Sequence, residues 1–419
     1  MTAAVPFPVA ASLLLPVAGT AVLTVSAQVA AGEWRTYPVL AANHLLTLGW
    51  GTFVAMGALH QMFPALLGVS SKPGLGVLVQ FGLTVPALAV LLYGFATSSP
   101  RWVAAGGLGV LLSVCTFLVL LLRVVPVRRR WPVAATGVCL SLAYLLITAL
   151  WGSLVALNWN LRLWPALYGY AGVGLHVAFG LVGWFVQLVV SVSYYLLPRF
   201  TGVRSLSERR LIPLLVALNF AVGLFALAAL QNQPGAARTA TASLCLAAVL
   251  YVADLFRFLR GARQQSPDLT NWHWWAIAVQ TVLAAAGAAA WALGVLPVDG
   301  RRVAASATVL FLCGWVTLAI TGQLYKVTPL LMWYYRYARG LSAYEVPRLA
   351  APYFPRWGAV AFWLIGSGST LLGVSVLAET PALARIAGAA WAAGATVYGF
   401  GICASWIVGA LLGPRGQAA

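Results

Sequence analysis

Residues 41–64 read AANHLLTLGWGTFVAMGALHQMFP, an apolar run with His44 near its start, Gly49-Trp50 at its middle, and His60 and Pro64 towards its end. The ending returns twice: Gly183-Trp184 precedes Tyr194 and Pro198, and Gly314-Trp315 precedes Tyr325 and Pro329. In each copy the ring residue stands ten places beyond the Trp and the Pro fourteen, and the copies recur at intervals of 134 and 131 residues. Self-similarity at a near-constant interval marks three related thirds in one chain. The motif helices are expected at 40–66, 164–197 and 303–333.

Composition sets the class. Of 419 residues, 62% are hydrophobic and 8% charged, and the mean hydropathy of +0.91 is that of a chain solvated by lipid. Lipid offers the backbone no hydrogen-bond partners, so spans must be helices or closed barrels, and the ten-residue alternation of a barrel is missing. The sequence therefore predicts an all-α polytopic membrane protein, a single membrane domain over 1–419. Twelve spans are expected, at 8–30, 40–66, 74–97, 102–124, 131–157, 164–197, 211–231, 239–259, 273–296, 303–333, 357–378 and 384–412.

A net charge of +18 would suggest nucleic acid for a soluble protein; in a membrane protein its distribution reports orientation, and no nucleic-acid partner is expected. With the N-terminus inside, 18 of the 25 basic residues fall on inner loops and the C-terminal tail: Lys72, the run Arg123–Arg130, the groups from Arg199 to Arg210 and Arg257 to Arg263, those from Lys326 to Arg356, and Arg415. The outer loops keep Arg35, Arg101, Arg162, Arg238, Arg301, Arg302 and Arg385. The positive-inside rule then places both termini in the cytoplasm, and the motif helices run from outside to inside. The start MTAAVPFP lacks a basic leader, so the first span reads as a true span rather than a cleaved signal.

Cys115, Cys139, Cys245, Cys313 and Cys403 are dispersed within expected spans and read as small buried side chains. No Cys-x-x-Cys-His string is present, which argues against covalently attached haem. Ionisable groups in lipid are functional candidates because their burial is costly, and the chain has four histidines. His44 lies 20 residues before Pro64 and His176 lies 22 before Pro198, so the two share a layer near the outer face. His60 is sixteen residues deeper than His44, about 24 Å along a helix; one metal cannot take both. His60 stands where the other copies have Tyr and reads as an interhelical hydrogen bonder. His273, in Asn-Trp-His-Trp-Trp, reads as a helix-start or interfacial-belt residue. Trp50, Trp184 and Trp315 read as packing residues, the small residues at 57, 191 and 322 as sites of close helix contact, and the three prolines as helix ends or kinks.

Through these motif helices the chain resembles the catalytic subunit of the haem-copper oxidase superfamily, which also has twelve spans, threefold pseudosymmetry and haem-ligand histidines near the outer side. The segment from His44 to Pro64 is similar to that family's His-x-His helix, with Ala42 in place of the first His. His176 keeps the first position in the second copy while Ala178 takes the second. Ala307 and Val309 replace both in the third. The family uses about six histidines for two haems and a further metal. Here the total is four, the span at 211–231 has none, and Gly180 stands where Tyr or Glu is often found. The expectation is no binuclear centre, no copper, no oxygen or nitric oxide reduction by the usual route, and no proton pumping.

The resemblance implies one noncovalent haem b with His44 and His176 as axial ligands between the first two motif helices, low-spin, with Arg35 and Arg162 placed to pair with its propionates. The function implied is a membrane cytochrome of a prokaryotic cytoplasmic membrane. It would serve electron transfer with a redox partner or respiratory complex, or binding of nitric oxide or another diatomic gas. The plain alternative for His44 and His176 is hydrogen bonding to neighbouring backbone. A transporter or metal-handling protein also suits twelve spans with internal repeats, though no Met-rich or Cys-rich path marks a cargo, and a non-catalytic assembly scaffold is the third class.

Overall fold

The computed structural model describes residues 3–70, 74–126, 131–165, 170–201, 207–231, 233–262, 268–337 and 355–411. Its described residues form helices and turns without a strand, and twelve helices are long and apolar enough to cross a membrane. They are α1 (Pro6–Ala30), α2 (Tyr37–Leu66), α3 (Leu75–Ala96), α4 (Pro100–Leu122), α5 (Val133–Leu161), α6 (Gly172–Arg199), α7 (Glu208–Gln231), α8 (Gly235–Gly261), α9 (Leu269–Ala292), α10 (Gly300–Leu331), α11 (Arg356–Leu377) and α12 (Pro381–Trp406). The chain is a multi-pass, all-helical membrane protein. Of the basic residues that suggested orientation, Lys72, Arg128, Arg129, Arg130, Arg204, Arg263, Arg339, Arg348 and Arg415 lie outside the described residues.

Two expected boundaries move. α5 continues to Leu161 and the next helix begins at Tyr170, so the sixth span does not start at 164. Asn158 explains the shift: its side chain accepts from the Trp164 amide at 2.7 Å and donates to the Trp164 carbonyl at 2.9 Å, folding a loop where apolar residues suggested helix. α9 starts at Leu269, capped by the Asp268 carboxylate accepting from the Thr270 amide, so His273 sits inside its first turns.

Neighbour packing sorts the helices into three groups: α11, α12, α1 and α2; α3 to α6; and α7 to α10. A motif helix completes each. At the end carrying Arg35 and Arg162, the Arg302 guanidinium donates to the Ala30 and Val376 carbonyls at 3.1 Å and pairs with Glu379, tying α10 to the ends of α1 and α11.

Each motif helix changes register at the same place. π-helical turns occupy Leu45–Thr52, Phe179–Val186 and Leu310–Val316, each containing the Gly-Trp pair. A π turn holds an extra residue, which advances the helix face by about 100°. The repeat thus extends from sequence to hydrogen-bond register. Trp50, Trp184 and Trp315 are buried, and small residues let helices approach as expected. A Cβ on Gly57 would lie 2.8 Å from Pro8 Cδ, and one on Gly322 would lie 2.7 Å from His273 Cβ. Pro64 and Pro198 stand in the last turn of their helices, two and three residues before the ends at Leu66 and Thr201, whereas the helix carrying Pro329 continues to Tyr337. The five cysteines are free.

Candidate functional site

His44 ends the α-helical part of α2 just before its π turn, and His176 lies three residues before the π turn of α6. The fold brings the two together. Their ring centres are 6.0 Å apart with planes inclined by 18°, too far for face-to-face stacking and nearly parallel.

Each ring is held by a carbonyl. His44 Nδ1 donates to the Leu40 carbonyl at 2.8 Å, one turn back on its own helix, and His176 Nδ1 donates to the Thr148 carbonyl on α5 at 3.1 Å. A carbonyl only accepts, so the proton is on Nδ1 in both rings and each Nε2 keeps its lone pair. These bonds are the backbone hydrogen bonds that the plain alternative for His44 and His176 called for; metal-bound histidines are commonly held in the same way. A His nitrogen binds a first-row metal at about 2.0 Å, so two imidazoles in line through Nε2 place their ring centres roughly 6 Å apart. The observed separation matches.

The surroundings are apolar. The rings line a cavity of about 200 Å³ walled by α2 to α6 and closed by Thr308 and Leu312 of α10. Gly152 makes room for the second imidazole, since a Cβ there would lie 2.6 Å from His176 Cε1 and 2.9 Å from its Nδ1. Ser153 donates to the Gly107 carbonyl at 3.0 Å, holding α5 against α4. Phe95 lies on the other ring, 4.9 Å from the His44 centre. The enclosed space is small for a macrocycle.

Arg35 and Arg162 are exposed and do not line the cavity. Arg162 adopts φ 55° where α5 stops, on the loop fixed by Asn158. Both stand at the histidine end of the bundle, beyond the cavity wall.

The other two histidines lie elsewhere. His60 Nε2 meets Gln80 Oε1 at 2.6 Å, bonding α2 to α3 as its place in the motif suggested. His273 Nδ1 donates to the Leu269 carbonyl at 2.8 Å, and its ring packs on Phe362 and Tyr325. It is buried, as part of a helix-helix contact rather than of an interfacial belt.

A larger apolar cavity than that of the imidazoles lies elsewhere. About 520 Å³ opens between α6 and α10, the interface related to the His44–His176 site by the repeat, but its equivalent positions are Ala178 and Ala307. Among the described residues no three His, Cys, Asp or Glu side chains converge as a metal site. Two imidazoles are too few for a protein-only centre, which takes three or four side chains; they are the number that completes an iron already held by four macrocycle nitrogens. The donor set fits haem.

Asp254, which the sequence places near the inner end of a span, is the centre of a charged cluster that the sequence did not reveal. This buried carboxylate accepts from Tyr194 OH at 2.5 Å and pairs with Arg257 and, more loosely, Arg210. Tyr194 is the α6 counterpart of His60, and both use the ring position to bond a neighbouring helix. No protein-family model matches the sequence, and no curated protein matches it.

Proposed function

We propose that the chain is a haem b membrane cytochrome built on an oxidase-like threefold scaffold, with His44 and His176 as axial ligands. The observation that carries this reading is the 6.0 Å separation of two near-parallel imidazoles, both with Nδ1 engaged by a carbonyl. When bound, the haem supplies a one-electron couple. The protein supplies two fixed nitrogens, an apolar enclosure and the exposed cations Arg35 and Arg162 at the end where propionates would emerge. Electron transfer with a redox partner is the primary role, in a prokaryotic cytoplasmic membrane with the histidine end outward and both termini inward, as the distribution of basic residues favours.

A second role, binding of nitric oxide or another diatomic gas, is favoured by the difference between the two anchors. His44 is fixed to its own helix at 2.8 Å, whereas His176 reaches a carbonyl on a neighbouring helix at 3.1 Å. His176 is therefore the ligand that yields if one position opens. The test is the absorption spectrum of purified protein with haem supplied during expression. Sharp α and β bands on reduction support the reading, and a colourless protein contradicts it.

A further inference from the structure

α8 and α9 leave a groove of about 660 Å³ along their contact. Ala248 and Val249 of α8 and Val282 and Ala286 of α9 are among its walls. The two valines are exposed, so the groove opens sideways, towards lipid. Cys245, Thr281 and Ala285 line both this groove and the 520 Å³ interior cavity and so form its floor. Their polar groups are engaged within the protein: Cys245 Sγ donates to the Ala285 carbonyl at 3.6 Å, and Thr281 donates to the Ile277 carbonyl at 2.7 Å while accepting from Trp315 Nε1 at 3.0 Å. Over this length the groove offers an occupant apolar surface, which in a bilayer is met by hydrocarbon rather than by water.

One end of the groove is charged. Arg257 and Arg260, a turn apart on α8, line it and are exposed. Arg257 pairs with the buried carboxylate of Asp254, which also accepts from Tyr194. Arg260 has no ion-pair partner among the described residues. Its guanidinium lies 4.6 Å from the centre of the Phe256 ring, a cation–π contact that holds the charge at the rim. Phe256 packs edge-on against Trp275 of α9 with ring centres 5.0 Å apart, so the rim is braced across both helices. From Cys245 to Arg260 is fifteen residues, about 22 Å of helix. Half of the hydrocarbon core of a bilayer is roughly 15 Å, so the groove is long enough for one acyl chain with the ester region above it.

We infer that this groove seats one anionic phospholipid of the leaflet at the Arg260 end. An acyl chain lies between α8 and α9, and the phosphate accepts from the Arg260 guanidinium. The occupant is a lipid rather than a free anion because the charged rim and the apolar length belong to one continuous groove. Its head group carries net negative charge because no carboxylate lines the groove to meet a choline or an ammonium. The inference is independent of the haem reading.

The test is native mass spectrometry of the full chain released from detergent, titrated with dioleoyl phosphatidylglycerol and with dioleoyl phosphatidylcholine, which share chains and phosphate but differ in net charge. One phosphatidylglycerol per chain is expected to bind saturably, with at least about fivefold preference over phosphatidylcholine, the worth of one arginine at a membrane surface. Arg260→Gln should abolish that preference. Arg123→Gln, at an exposed position on the same side of the bundle where α4 ends, should keep it. Dihexanoyl phosphatidylglycerol, with the same head group on short chains, should bind at least about tenfold more weakly because less hydrocarbon is buried. Ala286→Trp, which fills the groove, should weaken both long-chain lipids. Equal binding of the two head groups overturns the inference, as does a preference that survives Arg260→Gln or is lost equally with Arg123→Gln. Undiminished binding of the short-chain lipid also overturns it, since the site would then take the phosphate alone. The comparison of lipids on the unaltered chain stands even if Ala286→Trp fails to fold.

Discussion

Gly152 on α5 forms the floor beneath the ring of His176: a Cβ at that position would lie 2.6 Å from Cε1. The obstruction is a rigid imidazole rather than the end of a flexible chain, so the ring must move if the floor rises. Gly152→Ala should break the His176–Thr148 bond and tilt Nε2 away from His44. Purified variant is expected to lose most of its haem while keeping its helical circular dichroism. Wild-type haem content in Gly152→Ala would mean that His176 does not hold the iron from its observed position.

His60 supplies the contrast. Its Nε2 is engaged with Gln80 and its ring packs edge-on against Phe117, sixteen residues along α2 from His44. His60→Ala should leave the haem spectrum unchanged and lower stability by roughly 1–3 kcal/mol, the range for a buried polar partner left unmet. Thermal denaturation in detergent, followed beside the spectrum, reads both effects. Loss of colour with this substitution alone would move the site to the wrong half of the bundle.

Phe95 lines the cavity, its ring 4.9 Å from that of His44. Replacing it by Ala enlarges the cavity beside His44. Reconstitution of haem-depleted Phe95→Ala is expected to be faster than that of wild type, measured as growth of the Soret band. Slower uptake would show that Phe95 forms part of the bound pocket rather than its gate.

Tyr194 ties α6 to α8 through Asp254, whose carboxylate is buried beside two partly exposed arginines. A hydrogen bond to a charged group contributes roughly 1.5–3 kcal/mol. Tyr194→Phe should lower the unfolding free energy by that amount without altering the haem spectrum, because the hydroxyl is lost and the ring kept. A changed spectrum would indicate that this cluster communicates with the imidazoles.

Much of the fold was legible because lipid imposes a simple rule: every span must be long, apolar and helical, and hydropathy alone located all twelve. The shared depth of His44 and His176 was legible from their distances to Pro64 and Pro198, 20 and 22 residues. The start of the sixth span was not, since Asn158 closes the preceding loop with two hydrogen bonds to Trp164 in a stretch whose composition resembles a span. The π turns escaped because hydrogen-bond register leaves no mark in composition. Gly152 and Phe95 could not have been singled out: one of 41 glycines matters here only because His176 lies above it, a contact between helices that no local pattern encodes.

The most direct test of the haem reading is low-temperature electron paramagnetic resonance of the oxidised protein, paired with reduced-minus-oxidised absorption, on wild type, His44→Ala and His176→Ala. The account predicts a low-spin bis-imidazole signal in the wild type, and loss of haem or conversion to high spin in each variant. A low-spin haem that survives both substitutions, or a wild-type protein that takes up no haem, would contradict it.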